Sequence, residues 1–202
     1  MSAGRTLVAG VGNIFLGDDG FGVETVRRLV LAGVPDGVDV VDVGVRGVHL
    51  AYQLLDGYGT VVLVDAASRG GAPGTVYLIE AQAGPVEPSG PAALDGHRMG
   101  PDAVLALLAT LSASTGGVPP ERVLVVGCEP ASLEEGIGLS APVAAGVEQA
   151  VRLIRRVVSG EAVGDRAVGD EAVGDRAVGD EAVGDEGQTV GAEPSERKAP
   201  SC

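Results

Sequence analysis

The chain contains no tryptophan, three tyrosines and two phenylalanines in 202 residues, so any core it builds must be packed from Val, Leu and Ala rather than from rings. Its two cysteines, Cys128 and Cys202, lie far apart and form no CxxC pair, which supports neither a zinc knuckle nor a disulfide framework. The only histidines are His49 and His97, so there is no H-E-x-x-H helix, and no serine or cysteine stands in the setting of a nucleophile with its histidine. Bases are scarce: 14 Lys and Arg face 28 Asp and Glu, a net charge of −14, which argues against a nucleic-acid partner because phosphates are bound by clustered Lys and Arg. No apolar run reaches the roughly 18 residues of a membrane helix. The opening "MSAGRTLVAGVG" also lacks the ordered regions of a signal peptide. The expectation is a soluble cytoplasmic protein with no membrane insertion.

What the chain does have is alternation. Five short Val-rich runs bounded by Gly or Pro, at residues 6–12, 37–44, 60–67, 74–81 and 122–129, read as buried strands. Between most of them lie helical patterns. Phe21, Val23, Val26, Leu29 and Val30 make one; "RGVHLAYQLLDG" a second; "GPDAVLALLATLSAS", with Pro101 in its first turn, a third. The clearest is the last, with Ser140 as N-cap, Pro142 just inside, and Val143, Val147, Val151, Ile154 and Val158 along one stripe. The fold class expected is α/β: three layers, a twisted five-stranded mostly parallel sheet with helices on both faces. The link "SRGGAP" between the runs at 60–67 and 74–81 is too short for a crossover helix, so one strand of that pair is antiparallel and near an edge.

Residues 1–159 form the expected domain. From 160 to 202 the pattern gives way to "AVGDR AVGDE" repeats and a polar end, with 11 acids and 4 bases. A glycine in every five residues breaks helices, and one valine per repeat makes no apolar face, so this segment reads as a disordered acidic tail that solubilises or spaces.

The chemistry-bearing residues gather at strand ends. In "TLVAGVGNIFLGDDGFGVETVRRLV" (6–30), Gly10 and Gly12 match the first two glycines of a dinucleotide loop and Asp42 ends the second strand, where an acid would meet a ribose. Phe15 at the third glycine position and the adjacent Asp18 and Asp19 oppose a pyrophosphate. One of those two aspartates suffices to cap the helix; the second is unexplained. Asp65 closes "VVLVDAA", either as a turn former or as a carboxylate delivered to the sheet's carboxyl edge. His97 lies in "DGHRMGPDAVL"; His49 falls in an apolar helical pattern and reads as a packed or surface residue. Taken together, Asp19, Asp65 and His97 make an oxygen and nitrogen set suited to a divalent transition metal.

Four blocks, "AGVGNIFLGDDGFGVETVRRL", "VLVDAA", "GHRMGPDAVLALL" and "VVGCEPASLEEGIGLSAPVAAGVEQAV", resemble the hydrogenase maturation endopeptidases over about residues 5–158. The resemblance implies a five-stranded sheet flanked by helices and removal of a C-terminal peptide from the large-subunit precursor of a nickel-iron hydrogenase after nickel insertion. It implies that Asp19, Asp65 and His97 are the catalytic and metal-binding residues, that the nickel is supplied by the substrate, and that no nucleotide is involved. Family members often carry an Asp-x-Gly-Thr box thought to help select the target. Here Asp42 and Gly44 match it, as substrate-recognition residues, while Val45 stands where Thr would. Other readings of the residues are a constitutive metallohydrolase of peptides or amides and a nickel-sensing maturation chaperone that does not cut.

Overall fold

Valine and leucine runs of six or seven residues, too short for core helices and rich in β-branched side chains, extend into strands because a pleated surface accommodates their stiff χ1. The computed structural model describes residues 4–81 and 101–161, all within the compact unit Met1–Asp170. The repeat tail from residue 162 and His97 lie outside the described residues. The elements are β1 (Thr6–Val11), α1 (Phe21–Ala32), β2 (Val38–Gly44), α2 (Gly47–Gln53), β3 (Thr60–Ala66), β4 (Val76–Ala81), α3 (Pro101–Thr115), β5 (Arg122–Cys128) and α4 (Ala141–Val158), with a 3-10 turn at Gly17–Gly20 before α1.

The sheet order is β2-β1-β3-β5-β4. The first four run parallel, with Thr6 opposite Val38 and Thr60, and Thr60 opposite Arg122. β4 runs antiparallel at the edge, with Val76 opposite Cys128. The short link after β3 does reverse the chain, as expected, but β4 does not pair with β3: β5 is inserted between them.

Alternation along each strand sorts the core into two layers. Val8, Val62, Val64, Leu124 and Val126 face α1 and α4, meeting Phe21, Val26, Leu29, Val147 and Ile154. Leu7, Ala9, Val61, Leu63 and Val123 face α2 and α3, meeting Leu50, Leu54, Val104 and Leu108. Each such fully buried aliphatic side chain contributes about 1.5–3 kcal/mol, and the aliphatic core expected from composition is the one found. In α4 the stripe Val143, Val147, Val151 and Ile154 is buried and Val158 packs partly, while Glu148, Arg152 and Arg155 are exposed. In α1 the stripe ends earlier than its spacing suggests, because Val30 is 60% exposed.

The chain leaves β1 outward to β2, and leaves β3 the other way, past β5 to β4. The carboxyl ends of β1 and β3 therefore flank a crevice, the place where ligands collect in open α/β sheets.

Candidate active site

Two aspartates reach that crevice from different elements. Asp65 is the penultimate residue of β3 and is buried, at 7% exposure. Asp19 belongs to the 3-10 turn that follows β1. Both lie against Gly12, whose φ is +123°; a Cβ there would lie 1.9 Å from the Asp19 carbonyl oxygen and 3.6 Å from Asp65 Oδ1. Only glycine tolerates both that backbone angle and that approach.

Each carboxylate is aimed by a backbone amide. The Asn13 N–H donates to Asp19 Oδ2 at 2.6 Å, while Asn13 Oδ1 accepts from the Phe15 N–H at 3.0 Å, closing the loop on itself. The Ala66 N–H donates to Asp65 Oδ1 at 2.9 Å. Burial first, and then the charge of Asp19, push the Asp65 carboxyl up to about 7, with the Ala66 N–H pulling the other way. A carboxyl in that range can hold a proton or release it at neutral pH.

Gly10 and Gly22 serve packing rather than turning. A Cβ on Gly22 would sit 2.1 Å from the Val64 carbonyl and 2.2 Å from that of Val11, and one on Gly10 would sit 2.4 Å from the Gly22 carbonyl. The start of α1 is thus pressed directly onto β1 and β3. Phe15, at the third glycine position of the dinucleotide pattern, stands in solvent at 61% exposure.

Asp18 departs from expectation. It makes no cap on α1; it is 1% exposed and accepts from the Ala131 N–H (2.8 Å), the Ser132 N–H (3.2 Å), the Ser140 N–H (2.6 Å) and the Ser140 hydroxyl (2.9 Å). Burial raises its pKa, but the bonds from Ser140, Ala131 and Ser132 outweigh that and hold it below the ordinary Asp range. Ser140 occupies the N-cap position of α4 without a side-chain cap bond, because its hydroxyl serves Asp18. The two adjacent aspartates therefore divide the work: Asp18 binds the 131–140 loop to the site and Asp19 lines the crevice.

On the far side of Gly12, the turn after β2 is joined to the same loop. A bulge sets Gly10 opposite Asp42 but Val11 opposite Gly44, and the Gly44 carbonyl accepts from the Gly12 N–H at 3.1 Å. Asp42 accepts from Arg27 at 3.2 Å. His49 is exposed on α2, as a surface residue. His97 lies outside the described residues. Among the described residues no group of three His, Cys, Asp or Glu side chains gathers as a metal-holding set.

Sequence reading missed Glu129. It follows β5 and is buried at 6% exposure, accepting from the Arg69, Gly70 and Gly71 N–H groups and the Tyr77 hydroxyl. It organises the 67–74 loop beside Asp65. An acid directly after an apolar strand, the same signal that marked Asp65, would have found it. Cys128 just before it is a buried free thiol pushed up to about 12, chiefly by burial, and so is unsuited to nucleophilic work.

No helix among the described residues is long and apolar enough to cross a membrane. Residues 23–157 match the model of the hydrogenase maturation protease family. The chain is 35% identical over 159 residues to the hydrogenase expression/formation protein HupD of Rhizobium leguminosarum bv. viciae, covering 76% of this chain and 75% of that one. It is 33% identical over 152 residues to the hydrogenase 2 maturation protease of Escherichia coli K12, covering 74% of this chain and 88% of that one. Its fold superposes on the hydrogenase maturating endopeptidase HybD from E. coli with a TM-score of 0.62 at 29% identity, over 77% of this chain and 93% of that one. A sheet of this order, two carboxylates at its crevice and these likenesses agree: the chain belongs to the hydrogenase maturation protease family and is a peptidase.

Proposed function

We propose that this peptidase removes the C-terminal peptide from a nickel-loaded large-subunit precursor of a nickel-iron hydrogenase, in the cytoplasm, with Asp19, Asp65 and His97 as the site. The observation that carries this reading is the Asp19–Asp65 pair packed against Gly12, close enough for the charge of one to act on the other. The nickel comes with the substrate, and carboxylate oxygens with an imidazole suit such an ion while leaving positions for ligands of the precursor. Bound there, it would supply Lewis-acid polarisation of the scissile carbonyl. Asp65, buried at the carboxyl end of β3, orients a water and takes its proton, then passes that proton to the leaving amine. Asp19, fixed by the Asn13 N–H, would serve as a carboxylate ligand to that ion. Asp42 and Gly44, tied through Gly12 to the same loop, help to select the target.

The test incubates the chain with large-subunit precursor, with and without nickel, and reads intact mass. Nickel-dependent loss of a C-terminal peptide is expected, and Asp19→Asn and Asp65→Asn should each slow it by about a hundredfold or more. Cleavage without nickel would instead indicate a constitutive hydrolase, and binding without mass loss a chaperone.

A further inference from the structure

Three large apolar side chains stand in solvent beside the site: Phe15 at 61%, Leu133 at 46% and Ile137 at 84% exposure. Scattered single hydrophobics on a surface are ordinary, as with Leu31 on α1. These three differ because their backbones are locked to one another. The Gly136 N–H donates to the Phe15 carbonyl at 2.9 Å, the Gly17 N–H to the Gly136 carbonyl at 2.9 Å and the Asp18 N–H to the Ser132 carbonyl at 3.1 Å. Leu16 bridges Gly136 in parallel, which sets Phe15 alongside Glu135 and Gly17 alongside Ile137. The buried Asp18 carboxylate pins the same loop at Ala131, Ser132 and Ser140. A loop held this way cannot fold its apolar side chains back into the core; they are presented.

The charge on this surface has one sign. Glu134 and Glu135 are exposed between Leu133 and Ile137, and neither forms an ion pair among the described residues. The surface is also continuous with the site: Phe15 donates its N–H to Asn13, and Asn13 donates its own to Asp19. An apolar ribbon with paired acids fits a polypeptide segment that carries an apolar side chain beside Lys or Arg, with the apolar contact giving affinity and the charges giving steering and register.

We infer that the ribbon formed by residues 15–17 and 133–137 is the docking surface for such an apolar and basic segment of the protein substrate, next to the bond that is cut. This rests on the reading of the chain as a protease acting on a hydrogenase precursor. The test uses the full chain and nickel-loaded precursor, comparing wild type with Ile137→Ser, the double variant Glu134→Lys/Glu135→Lys, and a control, Val118→Ser, which is 71% exposed on the segment leading into the amino end of β5. The expected result is a KM raised tenfold or more in the first two, kcat within twofold of wild type, a flattened salt dependence in the charge-reversed protein and no change in the control. All three variants should keep the wild-type melting temperature. Wild type that cleaves while both variants keep KM within twofold overturns the inference, as does a fall in kcat at unchanged KM. A concentration-dependent dimer in sedimentation that Ile137→Ser abolishes, with KM unchanged, overturns it in favour of a second copy of the chain. If wild type does not cleave the precursor, it is the proposed function that fails.

Discussion

Replacing Asp18 by alanine removes a single carboxylate that four donors share. Hydrogen bonds to a charged group contribute about 1.5–3 kcal/mol each in favourable cases, but burying the carboxylate opposes them, and Ala131 and Ser132 are exposed enough for water to replace part of what is lost. Breaking a buried charged network by deleting one partner costs about 3–5 kcal/mol, and the exposed donors place Asp18→Ala at the lower end, about 3 kcal/mol. For a domain of this size that lowers the melting temperature by roughly 6–12 °C. The assay is urea and thermal unfolding of wild type, Asp18→Ala, Ser140→Ala and the double variant, with the exposed Asp36→Ala as control. Ser140→Ala keeps the backbone N–H bond to Asp18 and removes only the hydroxyl bond, so it should cost about 1 kcal/mol alone and almost nothing once Asp18 is gone. The folded-state pKa of Asp18 is depressed, so its contribution is present above the ordinary Asp range and is lost as pH falls below it. The gap between wild type and Asp18→Ala should therefore begin to narrow as pH falls through the ordinary Asp range, by no more than about 1.4 kcal/mol per pH unit. A loss under about 1 kcal/mol, or strictly additive effects of the two substitutions, would refute the clamp.

Asp65 has the opposite sign. Its folded pKa is raised to about 7, so the folded state binds the extra proton and wild-type stability declines as pH rises from about 4 to about 7; Asp65→Asn should remove that decline in urea titrations at pH 4.5 and 7.5, and an identical slope in both proteins would contradict the burial argument. Gly22→Ala places a Cβ 2.1 Å from the Val64 carbonyl and 2.2 Å from that of Val11, which α1 can relieve only by lifting off β1 and β3. A loss of about 3 kcal/mol or more is expected, read as unfolding midpoint or loss of soluble protein, whereas a midpoint matching wild type would show that the helix moves freely.

The sequence alone determined the fold class and the residues at strand ends, because both follow from local regularities. Period-2 and period-3.6 apolar patterns distinguish strand from helix, and a polar residue that interrupts an apolar run marks the sheet's edge. Asp65 was legible for that reason. Three things were decided only by tertiary structure. The insertion of β5 between β3 and β4 depends on long-range pairing that no local pattern encodes. The division of labour between Asp18 and Asp19 depends on a loop more than a hundred residues away, so a cap and a clamp look alike in sequence. The glycines of the opening loop looked alike too, yet Gly12 is required by its positive φ and Gly10 and Gly22 by the closeness of α1 to the sheet. Local chemistry names the candidates for a role; the packing of distant segments assigns the role, because desolvation and hydrogen-bond partners come from the whole fold.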